Sequence, residues 1–228
     1  MDVAVRMLGP PAIRVDGTWT SLRPTKPNAL LVFLAYRGER VRRGELEALL
    51  WSEADAFHAQ ADLRQALASV ARQPYGACVN RDRVSAWITA ATDVSAFRRA
   101  VHEQRVADAV ALYVGPLLHG FEIDDADEFA SWLASERAAL AEDWRRACRA
   151  VVRHEVRAGR FEEAVVVSDA LLACDPLDEW ATREAMRALA AVGDLRGAER
   201  RYESLTAHLG DEIGSSPEAA TTALLQRL

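Results

Sequence analysis

The first twenty-two residues alternate in polarity. Val3, Val5 and Met7 share one parity, Gly9-Pro10-Pro11 interrupts, and Ala12-Ile13-Arg14-Val15 and Asp16-Gly17 lead into Thr18-Trp19-Thr20-Ser21-Leu22. Period-two alternation broken by such a turn dipeptide predicts a small antiparallel sheet of about three strands, with a hairpin at Asp16-Gly17. From Thr25 the period changes. Thr25 can cap a helix, Pro27 suits its first turn, and Ala29 to Tyr36 is apolar all round, so a centrally buried helix is expected that stops at Gly38. Arg43 to Trp51 predicts a second, short helix, Ser52 to Asp55 a polar connection, and Ala56 to Arg72 a third helix. On that helix Ala59, Leu63, Ala66, Leu67 and Val70 share one face. His58, Ala61, Gln65, Ala68, Ser69 and Arg72 form the opposite stripe, with Asp62 and Arg64 on the flanks. Pro74-Tyr75-Gly76 ends the helix, and the segments around Val79 and Val84 to Ile88 read as a β-hairpin whose tip is Asn80-Arg81-Asp82-Arg83.

From Asp93 onward the period is helical throughout. Gly159-x-Phe161-x-x-Ala164 recurs as Gly193-x-Leu195-x-x-Ala198 after 34 residues, the period of a tetratricopeptide repeat. An imperfect copy, Gln104-x-Val106-x-x-Ala109, lies 55 residues before the first. Small residues at Ala109, Ala164 and Ala198 allow paired helices to approach closely. Asp127 to Ala158 predicts one unusually long helix or two, Asp175-Pro176 closes a helix pair, and Gly214-Ser215-Ser216-Pro217-Glu218 reads as a serine-capped start to a last helix over 217–228. Helical repeats of this kind line a groove for a partner. Glu162, Glu163, Asp194 and Glu199 make it acidic, although charged outer helices are more often simply solvated.

Composition adds a division. The 228 residues are half hydrophobic and 27% charged, enough for a sizeable core without disulfides and with no span of apolar residues long enough for a bilayer. Residues 1–92 hold 12 Lys+Arg against 9 Asp+Glu, residues 93–228 hold 16 against 25, so a basic part is tied to an acidic one. Two domains, 1–92 and 93–228, are expected. Cys78, Cys148 and Cys174 are scattered without a C-x-x-C pair and read as reduced thiols of a cytoplasmic protein, with no signal peptide at the start. The chain carries no G-x-S-x-G, H-E-x-x-H, phosphate-loop or dinucleotide fingerprint, and no metal-ligand spacing, so neither an enzyme nor a cofactor or metal is expected.

Sheet, three helices and a hairpin is the order of a winged helix, an order shared by small α+β domains with no nucleic-acid role. Val5-Arg6-Met7-Leu8-Gly9, Lys26, Leu30-Leu31, Leu46, Leu49-Leu50-Trp51 and Leu63-Arg64-Gln65-Ala66-Leu67 resemble the DNA-binding domain of the Streptomyces antibiotic regulatory protein (SARP) family, an OmpR-type winged helix. The remainder resembles the bacterial transcriptional activator domain found with it. The matching residues are Tyr113-x-Gly115-Pro116-Leu117-Leu118-x-Gly120-Phe121, Trp132, Asp175-Pro176-Leu177-x-Glu179, and Leu209-Gly210 followed by Pro217. The implied fold is mainly α: a small α+β winged-helix domain followed by an all-α tetratricopeptide-like solenoid.

The implied function is a DNA-binding transcriptional regulator, an activator acting on tandem sites. Its third helix would lie in the major groove, where Gln65 can pair with adenine and Arg64 or Arg72 with guanine, with His58 and Ser69 on the same outer stripe. Arg81 and Arg83 at the hairpin tip would meet phosphates or the minor groove, and Arg23, Lys26, Arg42 and Arg43 the backbone. Partners are then double-stranded DNA and, through the solenoid, RNA polymerase components or another protein, with the chain a monomer or a homodimer pairing on DNA and no membrane involved. The connection Ser52 to Ala56 is a candidate polymerase contact. The rival reading is a protein-interaction scaffold whose winged helix no longer binds DNA, since the reading stripe carries two alanines and little positive charge.

Overall fold

A computed structural model describes residues 2–228, and their contacts divide into two compact units, residues 2–142 and 143–228. The first opens with strands β1 (Val3–Arg6), β2 (Ala12–Val15) and β3 (Thr18–Ser21), paired antiparallel in the order of the alternation. Asp16 and Gly17 both adopt positive φ, 46° and 91°, which gives the two-residue turn the twist that a hairpin needs. A fourth strand not foreseen from the sequence, β7 (Ala91–Thr92), lies parallel to β1, so the order is β3-β2-β1-β7. At two residues it is too short to show a period.

Helix α1 (Lys26–Arg37) is capped by Thr25, whose hydroxyl accepts the Asn28 N–H, and ends at Gly38. Its buried run Ala29 to Tyr36 is the centre of this unit. Strand β4 (Val41–Arg42), helices α2 (Arg43–Leu50) and α3 (Ala56–Ala71), and strands β5 (Val79–Arg81) and β6 (Ser85–Ile88) follow. β4 joins the expected hairpin as a third strand, in the order β4-β6-β5. The five residues buried on α3 are the five that share its apolar face: Ala59, Leu63, Ala66, Leu67 and Val70.

Helices α4 (Asp93–His102), α5 (Val106–Leu112) and the first part of α6 (Asp127–Arg157) complete the first unit. The compact unit therefore runs past residue 92, where charge and period change, and the division falls inside α6 between Glu142 and Asp143. Three sets of contacts account for this. The Asp93 carboxylate accepts the backbone N–H groups of Met7 and Leu8 at 2.8–2.9 Å. The loop carrying Gly115 to Phe121 zips onto the end of β1, with Leu118 N–H on Met7 O at 2.7 Å, His119 N–H on Gly9 O at 3.0 Å and Gly9 N–H on Pro116 O at 3.1 Å. Two motifs a hundred residues apart thus form one piece of structure, fastened by Arg137, which donates to the Leu117 and Leu118 carbonyls at 2.7 Å each. Trp132 then packs edge-on against Phe33 and Tyr36 of α1, with ring centroids 4.8 and 5.1 Å away.

The second unit holds the rest of α6, α7 (Phe161–Cys174), α8 (Glu179–Ala191), α9 (Leu195–Ile213) and α10 (Ala219–Leu225). Its core includes Val152, Ala164 and Ala188, with Phe161, Val165 and Trp180 against them. The 34-residue echo is a repeated turn. Gly159 and Gly193 adopt φ of 72° and 86°, each donating to the carbonyl three residues back, while the next residue donates to the one five back. Gln104 in the first unit takes φ 56° and makes the same two bonds, so the imperfect copy is a true local repeat in which glutamine occupies a left-handed position. Ala109, Ala164 and Ala198 are all at most 1% exposed. Asp194, expected in an acidic groove, accepts the Gly197 N–H and caps α9.

The last helix departs from expectation. It starts at Ala219 and the serines do not cap it. The Glu218 N–H instead donates to both oxygens of Glu179 on α8, at 2.9 and 3.0 Å, and Arg183 bonds Glu218 and Thr221 at 2.9 Å each. A carboxylate 39 residues upstream satisfies the donor that local sequence pattern assigned to serine.

Candidate nucleic-acid interface

Helix α3 begins at Asp55, whose carboxylate accepts the N–H groups of Phe57 and His58 at 3.0 Å. Its other oxygen lies 2.7 Å from His58 Nδ1. That bond and the adjacent negative charge raise the His58 pKa above its ordinary value, while the His58 backbone N–H leads the causes that lower the Asp55 carboxyl. Beyond this cap, Gln65 and Arg72 are exposed on the side away from the core, with Arg72 at the helix end. Ser69 is half-buried and, with Arg23, lines a cavity of about 730 Å³ walled by β3, the start of α1 and the end of α3. Arg64 turns to the opposite flank, where its Nε donates to the Gln60 carbonyl at 3.2 Å. The outer stripe is thus split: Gln65 and Arg72 point outward, Ser69 borders one groove and Arg64 the other.

The hairpin tip is organised by Asp82. One carboxylate oxygen accepts the Val84 and Ser85 N–H groups at 2.8 and 2.7 Å, bonds that lower its pKa, and the other pairs with Arg40 at 2.9 Å. Arg40 in turn lies 3.8 Å from the Trp87 ring centroid. Arg43, half-buried at the start of α2, donates from its side chain to the Asp82 carbonyl at 2.8 Å and from its backbone to Val84 O at 2.9 Å. Arg81 and Arg83 flank this anchored turn and are exposed, as is Arg42. Lys26 is engaged elsewhere, donating to Asp125 O at 2.8 Å with its ammonium 5.7 Å from the Trp51 ring centroid.

Ion pairing sorts the cations of residues 1–92. Among the described residues Arg14 pairs with Asp2, Arg37 with Glu39 and Glu45, and Arg40 with Asp82. Arg6, which lies over the Trp19 ring, and Arg23, Arg42, Arg43, Arg64, Arg72, Arg81 and Arg83 form no salt bridge, although acidic residues are nearly as numerous in this stretch. Three contributors were not legible beforehand. Gln60 had a signal, one turn before Arg64 on the same flank. Phe57, 73% exposed and edge-on to His58, was hidden among the residues of the helix start. The role of Arg40 depends on a contact 42 residues away and had none.

Residues 83–228, nearly two thirds of the chain, match the bacterial transcriptional activator domain. The chain belongs to that family. Two solved chains match its structure, among them Mycobacterium tuberculosis EmbR in complex with a low affinity phosphopeptide. That likeness has a TM-score of 0.68 at 21% identity and covers 99% of this chain and 64% of EmbR, so it speaks to the fold. The chain spans about two thirds of the length of that relative. No curated protein matches it. Membership of the activator-domain family supports a role in transcriptional regulation. Among the described residues no helix is long and apolar enough to cross a membrane, and no group of three or more His, Cys, Asp and Glu is placed to hold a metal. Burial pushes the Cys78 and Cys148 thiols up to about 11 and about 12, which makes both poor nucleophiles at neutral pH.

Proposed function

We propose that this regulator binds double-stranded DNA through residues 1–92, with α3 in the major groove and the β5–β6 hairpin on the adjoining backbone, and activates transcription from tandem sites. The observation that carries the proposal is the placement of the arginines that form no salt bridge: seven of the eight lie on or beside α3, the hairpin and the starts of α1 and α2, and the eighth, Arg6, stacks on Trp19 in the sheet. Arg14, Arg37 and Arg40 are spent on carboxylates of the fold, whereas a guanidinium without one keeps the planar fork that suits a phosphate or a base edge. Gln65 and Arg72, projecting outward from α3, are the base-reading pair, each good bidentate contact discriminating by about 1–3 kcal/mol. His58 and Ser69 bound the same surface. The helical-repeat part supplies the protein contact, with RNA polymerase components or another protein as its partner.

Exposed Phe57 favours a second reading, a docking surface for protein on the same helix, because a solvated phenylalanine at a helix start is a common interface anchor. A fluorescence-anisotropy titration against random and genomic duplexes at two salt concentrations separates the two. DNA reading predicts salt-sensitive binding whose sequence preference is lost in a Gln65→Ala/Arg72→Ala variant. A folded protein that binds no duplex at low salt points to the docking surface.

A further inference from the structure

Between the start of α2, the flank of α3 and the hairpin tip lies a depression of about 440 Å³ walled by Arg43, Gly44, Glu47, Gln60, Arg64 and Arg83. Three guanidinium groups border it and none forms a salt bridge, although the Asp82 carboxylate lies near enough to Arg43 to feel its charge. Two are held in place by neutral groups instead: Arg43 by the Asp82 carbonyl and Arg64 by the Gln60 carbonyl. Positioning by carbonyls fixes a guanidinium without cancelling its charge. Arg43 Nε is buried and has no hydrogen-bond partner at all, a donor whose desolvation is uncompensated. The helix that opens onto the depression is also uncapped. Arg42 at its N-cap provides no side-chain acceptor; the Arg43 N–H is met by Val84 O and Glu45 stands in the first turn, while Gly44 leaves the backbone bare on the side of the depression. Glu47 is the one carboxylate on the wall, and it forms no ion pair with any of the three arginines.

Three like charges gathered beside an uncapped helix start repel one another until an anion enters. We infer that this depression is a phosphate-binding site, and, resting on the DNA-reading proposal above, that its occupant is a single backbone phosphate of the duplex. The inference moves Arg64 from base reading to phosphate clamping, leaving sequence discrimination to Gln65 and Arg72. It also gives the anchored hairpin a purpose: Asp82, Arg40 and Arg43 hold the tip at the height where Arg83 meets the same phosphate as α3.

The test uses the full chain with Arg64→Ala, Arg83→Ala and the double variant, chosen because neither side chain holds another element in place. Affinities for a panel of duplexes of different sequence are measured across a range of salt. Each single variant should weaken binding roughly tenfold on every duplex alike, and lower the slope of log affinity against log salt by about 1. The double variant should lose little more than either single one, since both act on one phosphate. A changed ranking of duplexes in Arg64→Ala, or a double variant whose losses add, overturns the site. Titration with pyrophosphate, read by the guanidinium Nε–H resonances of Arg43, Arg64 and Arg83, separates this site from the wider proposal. Joint movement of the three in a protein that binds no duplex sustains the phosphate site and sinks DNA as its source. Unmoved resonances, whether or not DNA binds, sink the site itself.

Discussion

His58 illustrates how much one residue's surroundings decide. The carboxylate of Asp55 raises its pKa above the usual 6.5, so the pair is strongest between the two titrations. The contribution of the raised imidazole is complete below its unfolded value and is lost as pH rises through the folded one. That of the lowered Asp55 is present above its unfolded value and is lost as pH falls through the folded one. NMR titration should place the His58 pKa above that of an exposed histidine, and Asp55→Asn should return it to the ordinary value. Because His58 lies in the first turn of α3, the proposed reading helix, DNA affinity should also fall as pH rises through that titration. Asp93 carries a different burden. Burial raises its pKa despite the Met7 and Leu8 amides that favour the anion, and those amides belong to residues with no exposure. Asp93→Ala should therefore cost about 3 kcal/mol in denaturant unfolding, most of it for stranded N–H groups.

Among the elements, those with a strong local period were fully legible. The length of α3, its apolar face and the Thr25 and Gly38 boundaries of α1 follow from spacing and capping chemistry within a few residues. What the sequence hid were arrangements set by distant partners: β7 against β1, β4 beside β6, Glu179 in place of a serine cap, and the arginine-lined depression, whose walls come from three elements. The repeated turn was legible as spacing, but only the backbone shows that Gln104 bears a conformation glycine adopts freely. Gln104→Gly should accordingly stabilise the protein by roughly 0.5 kcal/mol, and Gly193→Ala destabilise it by about 1 kcal/mol, as read by thermal unfolding. The hairpin depends on Asp82 in the same way. Asp82→Ala should speed amide exchange at Val84 and Ser85 and weaken binding to every duplex, roughly threefold to tenfold, without changing sequence preference.

At the scale of the molecule, a net charge of −6 conceals opposite halves, and only local pairing reveals where positive charge is available. The activator-domain match begins at residue 83, inside the hairpin, whereas packing divides the chain within α6. The first unit therefore contains both the proposed DNA-reading surface and the opening part of the activator domain. Asp93, the Gly115–Phe121 loop and Trp132 bind these into one body, so α3 is presented on a rigid support. The central claim is that this surface reads sequence. The most direct measurement is selection of genomic fragments by the purified chain, followed by sequencing, beside the Gln65→Ala/Arg72→Ala variant. The account predicts enrichment of direct repeats about 10–11 bp apart for the wild type, and a variant that retains DNA but no repeat. Equal recovery of unrelated fragments by both proteins, or no recovery by either, would contradict it.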